Sequence, residues 1–344
     1  MARLSPLHLR VQCAIRQQQL LHPGQRLLVA FSGGQDSFCL LQILRDLQPR
    51  WGWQIFVLHC DHRWSADETE CARFLQGWLQ QQGLPHAVET ADPIRRDEAG
   101  ARAWRYQQLD KWARIWDCSA VVMGHTASDR AETFLWNLLR TGAAGLSSLD
   151  WQRRLDDRDP TSAQVVRPLL GLYRWETEQF CQQHQLPVWP DRSNQDLAHC
   201  RNRLRLEVMP YLKQHFNPQL EAALNRAATL LQAEHELVVA QAAQLWQQVY
   251  EPALPGLRRD PLRAAPLALQ RQVMFQFLSL VLPHHPTFEQ VEAGIQLLKA
   301  DRGSRSPDYP GGHWLEVKGD HLVCFHIIVS INSTSPKGSD SPRL

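Results

Sequence analysis

Apolar runs and helical spacings alternate along the first part of the chain. Leu27-Leu28-Val29-Ala30-Phe31 is a short apolar run that stops at Ser32-Gly33-Gly34, the pattern of a buried strand feeding a turn. From Asp36 to Leu47 the apolar residues Phe38, Leu40, Leu41, Ile43 and Leu44 recur at helical spacing. Gln54–Leu58 reads as a second strand, and Asp67–Gln82 as a helix stopped by Gly83 and Pro85. His86–Glu89 is a third strand and Glu98–Trp116 the next helix. Ser119–Met123 is a fourth strand ending in Gly124-His125, followed by a helix over Ala127–Leu139 that closes near Gly142. This alternation predicts βαβ units: an α/β fold with a doubly wound, mainly parallel sheet covered on both faces.

Further on the pattern changes. Asp150–Thr161 carries Arg153, Arg154, Asp156, Asp157, Arg158 and Asp159 and reads as an exposed loop. Trp175–Gln185 is helical, and Pro218–Tyr250 is a long helix with Leu220, Leu224, Leu230, Leu231 and Leu237 as apolar positions. After breaks at Pro252, Pro255, Pro261 and Pro266, helices are predicted over Leu267–Val281 and Phe288–Leu298. Trp314–Val317 and His321–Ile328 read as a hairpin turning at Lys318-Gly319-Asp320. The expected organisation is a catalytic domain over 1–215, a smaller, mainly helical domain over 216–330, and a disordered Ser/Pro/Lys-rich tail over 331–344.

Composition narrows the class. The 344 residues are 44% hydrophobic and 21% charged, enough to bury a core and too apolar for a disordered chain. No apolar run approaches the roughly 20 residues that cross a bilayer, and the amino terminus has no secretory pattern. A soluble cytoplasmic protein is expected. The eight cysteines contain no Cys-x-x-Cys pair, which argues against a zinc ribbon, a thioredoxin-type motif or a cluster site. The net charge is only +2, with 26 basic against 23 acidic residues over 1–220 and 11 against 12 beyond. Any nucleic-acid footprint is therefore a local patch. Of the 37 basic residues 32 are arginine, whose planar donors suit phosphate and carboxylate.

The most informative segment is Ser32-Gly33-Gly34-Gln35-Asp36-Ser37. Two glycines let the backbone turn tightly and present N–H groups to an anion, and the following helix points its positive end there. Ser32 and Ser37 add hydroxyls. A carboxylate at Asp36 makes sense if it helps hold Mg²⁺ on a pyrophosphate. It is neither a Walker loop nor a G-x-G-x-x-G motif. The segment resembles the loop of the PP-loop family, the N-type ATP pyrophosphatases, which split ATP into AMP and pyrophosphate while adenylating a substrate oxygen. The resemblance implies an adenine nucleotide alpha hydrolase-like fold, with ATP and Mg²⁺ as cofactors and residues 32–37 binding ATP.

Four further segments resemble the lysidine-synthetase branch of that family. His59-Cys60-Asp61-His62-Arg63 with Ser65 is similar to H-x-D-H-x-x-R-x-x-S, with the arginine displaced. Glu98–Tyr106 is similar to E-A-x-A-R-x-x-R-Y. Gly124–Thr133 is similar to G-H-x-x-D-D-x-x-E-T, with Ser128 where that branch usually has Asp. Arg167-Pro168-Leu169, Asp191-Arg192-Ser193-Asn194-Gln195-Asp196 and Arg201-Asn202-Arg203-Leu204-Arg205 match D-x-S-N-x-D … R-N-x-x-R.

The resemblance runs from about residue 26 to 211. It implies Asp36, Asp61, His125, Asp129 and Glu132 as catalytic residues. It implies Arg102, Arg105, Asn194, Arg201, Asn202 and Arg205 as contacts to RNA or to the lysine carboxylate. The implied partners are free L-lysine and an isoleucine tRNA with a CAU anticodon, whose wobble cytidine would be adenylated on O2 and then attacked at C2 by lysine. The helical region, with Arg258, Arg259, Arg263, Arg271, Arg302 and Arg305, would hold the tRNA by shape and phosphate. The oligomeric state is open, a homodimer included. Three other readings compete: a tRNA thiolase, a non-catalytic RNA-binding protein, and a small-molecule ligase of the GMP synthetase kind.

Overall fold

The structure, a computed structural model, describes residues 4–64, 66–92, 98–141, 148–156, 159–190, 200–252 and 255–326. The expected tail over 331–344 and the segment Asp191–Asp196, with Asn194, lie outside the described residues. The chain divides into two units, Met1–Leu230 and Leu231–Leu344.

The first unit opens with helix α1 (Pro6–Gln17) and then alternates: β1 (Arg26–Ala30), α2 (Gln35–Trp51), β2 (Gln54–Asp61), α3 (Ala66–Gln81), β3 (His86–Thr90), α4 (Glu98–Ile115), β4 (Ala120–Met123) and α5 (Ala127–Thr141). Short strands β5 (Gln152–Arg154) and β6 (Gln164–Val166) precede α6 (Arg174–Gln183). The six strands form one sheet in the order β3-β2-β1-β4-β6-β5. All pairs are parallel except β5 with β6. The expected strands and helices through α5 are present.

The segment read as a loop over Asp150–Thr161 departs from expectation, because Gln152–Arg154 is the antiparallel edge strand. A three-residue strand shows no alternation to read, and its charged side chains suit an unpaired sheet edge.

Period-2 alternation explains the layers. Leu27 and Val29 join Ile55, Val57, Ala120 and Val122 in a core under α1, α2, α3 and α6. Leu28, Leu58, Val121 and Met123 face the other way, onto Leu109 and Ala113 of α4. The strand order reverses between β1 and β4, so the chain leaves their carboxyl ends in opposite directions and opens a crevice there, the ligand-binding position of open α/β sheets. At that point Gly124, just past β4, lies against the first turn of α2. A Cβ on it would sit 3.0 Å from the Asp36 carbonyl oxygen and 3.2 Å from the Ser37 nitrogen.

The unit closes with α7 (Cys200–Arg203), a π-helical turn (Leu204–Val208), α8 (Met209–His215) and the first turns of α9 (Leu220–Val249). The second unit contains the rest of α9, then β7 (Tyr250–Glu251), β8 (Gly256–Arg258), α10 (Arg259–Ala264), α11 (Leu267–Val281), α12 (Phe288–Leu297), β9 (His313–Lys318) and β10 (His321–His326). The hairpin is where the sequence places it. It belongs to a four-stranded antiparallel sheet, β7-β8-β10-β9, beside the predicted helices. Among the described residues no helix is long and apolar enough to cross a membrane.

Backbone atoms cannot yield to a methyl group as a flexible side chain can. Gly124→Ala is therefore expected to cost on the order of 1–3 kcal/mol, the usual range for overpacking, read as a lower urea midpoint by circular dichroism.

Candidate active site

The loop between β1 and α2 turns at Gly33, whose φ is +84°. A Cβ there would meet a Leu75 methyl at 2.8 Å, a contact the side chain can relieve, so it is the conformation that requires glycine. The loop closes on its own hydroxyls. Gly33 N–H donates to Ser37 Oγ (3.1 Å), Gly34 N–H to Ser32 Oγ (3.4 Å), and Ser37 Oγ to Gly34 O (2.8 Å). Trp189 N–H holds the Gly33 carbonyl from outside (3.0 Å). The result is a ring of N–H groups at the head of α2, each bonded to a side-chain oxygen that an anionic ligand's oxygen can replace. Gln35 lies at the head of α2 beside the loop, and its side-chain amide donates to Arg174 O (2.9 Å) and Thr177 Oγ1 (3.2 Å), tying the loop to α6.

One guanidinium organises the acidic side of the site. Arg174, the first residue of α6, reaches Asp129 Oδ1 (2.5 Å), Glu132 Oε1 (2.8 Å) and Asp36 Oδ2 (3.6 Å). Asp36 also accepts from the Thr177 hydroxyl. Asp129 is more heavily committed. Its Oδ2 takes Thr126 N–H (2.7 Å) and Thr126 Oγ (2.8 Å), and Thr126 Oγ accepts Asp129 N–H in return (3.3 Å), a capping box at the start of α5. Among the described residues Glu132 pairs with Arg174 and, at 3.9 Å, with Arg205.

These environments separate the carboxyl groups. Burial and the nearby charge of Asp129 push Asp36 up to about 6, against Thr177 and Arg174. Burial also raises Glu132, opposed by Arg174 and helped by Asp129. Burial acts upward on Asp129 too, but Arg174, His125 and the Thr126 donors hold it below its ordinary value.

His125 lies beyond Asp129. It accepts from Arg167 Nε through Nδ1 (3.2 Å). Burial, with Arg167, Arg105 and Arg102 adding to it against Asp129, drives its pKa down to about 4. It is a neutral imidazole whose Nε2 carries the proton. Arg167 is itself 1% exposed and donates to the Asp150 carbonyl (2.6 Å). On α4, the ring of Tyr106 lies between the guanidinium groups of Arg102 (4.8 Å) and Arg153 (4.9 Å). Neither Arg102 nor Arg105 has a carboxylate within ion-pair distance among the described residues. Asp110, their neighbour in sequence, is taken by Arg114 (2.8 Å). The site thus has an acidic half, with carboxylates from α2 and α5 bridged by Arg174 of α6, and a basic half at α4.

Asp61 is 3% exposed and accepts Arg63 N–H (2.9 Å), which fixes the turn after β2. His59 donates to the Phe31 carbonyl (2.9 Å), tying β2 to the loop. Arg205 extends from the π-helical turn toward Glu132, and Arg201 donates to Thr133 Oγ (3.2 Å), so both approach α5. Asn202 sits beside Arg201 on α7.

The arginines read as an RNA face in the second unit divide. Arg259 is internal and donates to the carbonyls of Leu298 (3.1 Å) and Ala300 (2.5 Å). Arg263, Arg271 and Arg305 pair with Asp260, Glu292 and Asp308. Arg258 and Arg302 have no ion pair among the described residues.

Sequence reasoning missed Arg174. The signal lay in charge: three carboxylates converging at the carboxyl ends of the central strands need a cation among them, and Arg174 opens the next helix.

An anion-cradling loop at the switch point of a doubly wound sheet defines a nucleotide-using enzyme of the PP-loop class. The PP-loop domain family matches residues 8–212. The fold is shared with the U34-tRNA thiolase NcsA from Methanococcus maripaludis at a TM-score of 0.54 and 13% identity, over 65% of this chain and 78% of that one. The tRNA(Ile)-lysidine synthase of Synechococcus sp. (strain JA-2-3B'a(2-13)) is 98% identical over 95% of this chain and 100% of its own length. That of Nostoc sp. (strain PCC 7120 / SAG 25.82 / UTEX 2576) is 44% identical over 92% and 96%. The chain belongs to the tRNA(Ile)-lysidine synthase family.

The raised pKa of Asp36 has a stability consequence. The folded state holds the proton more tightly than the unfolded chain, so ionisation costs nothing at low pH and its full cost above about pH 6. Asp36→Asn is expected to raise the urea midpoint at pH 8, by at most about 3 kcal/mol at 1.36 kcal/mol per pH unit. It should leave the midpoint unchanged near pH 3, where wild-type Asp36 is already protonated in both states.

Proposed function

We propose that the chain uses ATP to join L-lysine to C2 of the wobble cytidine of an isoleucine tRNA with a CAU anticodon, in the cytoplasm. The observation that carries this is the pairing, at the carboxyl ends of β1 and β4, of a phosphate-cradling loop with three carboxylates gathered on Arg174. The loop suits the first half-reaction and the carboxylates the second.

In the first, the cytidine O2 attacks the α-phosphate of ATP and pyrophosphate leaves. The N–H groups of residues 33 and 34 exchange the Ser37 and Ser32 hydroxyls for pyrophosphate oxygens, so the charge meets dipoles already aligned. The donor set fits a magnesium ion, since Asp36 offers one half-buried carboxylate beside the loop, the donor such an ion takes beside phosphate oxygens and water. When bound, that ion neutralises pyrophosphate charge. Arg102 and Arg105, without carboxylate partners among the described residues, supply cations for RNA phosphate or for the lysine carboxylate. The target base lies in a single-stranded loop and is splayed into the site without breaking a pair.

In the second half-reaction the lysine ε-amine attacks C2 and expels AMP. An ammonium has no lone pair, so a proton acceptor is required. Asp129 is occupied by its capping box and by Arg174. Glu132, raised by burial and paired with arginines among the described residues, takes the proton. Asp129, kept ionised by Arg174 and the Thr126 donors, adds negative charge that attracts the lysine α-ammonium.

The test uses purified protein, ATP, Mg²⁺, labelled lysine and unmodified tRNA(Ile) with a CAU anticodon. Acid-precipitable label that survives mild alkali, and is lost when the wobble cytidine becomes uridine, is the expected result. Pyrophosphate release with another acceptor and no label overturns it. Glu132→Gln is expected to retain pyrophosphate release and to lose about 10²–10⁴-fold in lysine transfer, the usual weight of a general base. Asp36→Asn should abolish pyrophosphate release and keep tRNA affinity in a filter-binding assay.

A further inference from the structure

Ser128 is buried, 5% exposed, and its hydroxyl joins two helices. It accepts the backbone N–H of Arg174 (3.2 Å) and donates its one proton to Oε2 of Glu221 on α9 (2.9 Å). The second oxygen of Glu221 takes Lys213 Nζ (3.0 Å). An ionised carboxylate only accepts. The Ser128 proton must therefore point at Glu221, which leaves a lone pair facing Arg174 N–H. Without that acceptor the hydroxyl is free to rotate, and the N–H at the head of α6 loses a fixed partner.

Glu221 is one of a series. Asn225 Nδ2 donates to the Ala127 carbonyl (2.9 Å), and Thr229 Oγ accepts from Arg130 Nη1 (3.1 Å). Residues 221, 225 and 229 recur every four positions and form one stripe on α9. They meet Ser128, Ala127 and Arg130 in the first turn of α5. Directional bonds at three levels set the axial position of α9 against α5, which apolar packing alone would leave free to slide.

We infer that Glu221 is a positioning residue of the lysine site: through the Ser128 hydroxyl it fixes the head of α6 and so holds the Arg174 guanidinium across Asp129 and Glu132. The carboxylate expected at position 128 from the resemblance is supplied here from α9, one hydrogen bond further out. The inference rests on the proposed lysine transfer.

Lysine-dependent kinetics of single and double variants test it. Glu221→Ala is expected to raise KM for lysine about tenfold and to leave KM for ATP within about twofold, because the tight contacts of Arg174 are to Asp129 and Glu132. Ser128→Ala should raise KM for lysine similarly. Adding Glu221→Ala to it should do nothing more, since the effect passes through the hydroxyl. Ser128→Asp sets two carboxylates face to face and should be worse than either. Ser128→Asp with Glu221→Gln restores one carboxylate facing one amide, and KM for lysine should return to within about threefold of wild type.

Additive losses in the alanine pair, an unchanged lysine KM in Glu221→Ala, or no rescue in the Asp/Gln pair would each overturn the role of Glu221. Should Glu221→Ala fail to fold, the Asp/Gln rescue decides alone. Wild-type protein that incorporates no lysine overturns the functional reading first; wild-type incorporation with indifferent variants overturns the inference only.

Discussion

Three carboxylates around one half-buried guanidinium are the constraint on which the rest of the first unit depends. Desolvating a carboxylate without a partner costs several kcal/mol even after relaxation, and three together would repel one another as well. Arg174 makes the cluster tolerable, and much of the surrounding structure keeps Arg174 in place. Gln35 of α2 holds its carbonyl, Ser128 of α5 its N–H, and Glu176 caps its helix while pairing with Arg10 of α1. Helices α1, α2, α5 and α6 thus meet on one polar centre.

The cluster also separates roles among residues of the same type. Asp129 and Glu132 lie three apart on one helix and look equivalent in sequence. In the structure Asp129 terminates a helix and neutralises an arginine, which keeps it ionised. Glu132 does neither fully, and burial leaves it prone to take a proton. Neighbouring carboxylates whose environments push their proton affinities apart form the usual basis of acid–base division of labour.

Legibility followed physical locality. β1, the glycine turn and α2 could be read because an apolar run, a turn and a helical period lie within one stretch of chain. Asp36, His125, Asp129 and Glu132 were found by motif, and the crevice does bring them together. Arg174 was not, since its partners are distant in sequence and a lone arginine at a helix start has no pattern. The strands β5, β7 and β8, of two or three residues, are set by their neighbours in the sheet and carry no period of their own. Composition flagged six arginines in the second unit as a basic face. It could not say that Arg259 caps backbone carbonyls or that three others sit beside acids.

The π-helical turn at Leu204–Val208 fits one residue more into the helix than an α-turn would hold. Arg205 faces Glu132 because of that surplus. Removing one residue would regularise the hydrogen bonding and swing the arginine roughly 100° around the axis, the α-helical angle per residue. Chain length, as much as side-chain identity, is therefore under constraint here: a better helix would be a worse wall for the site.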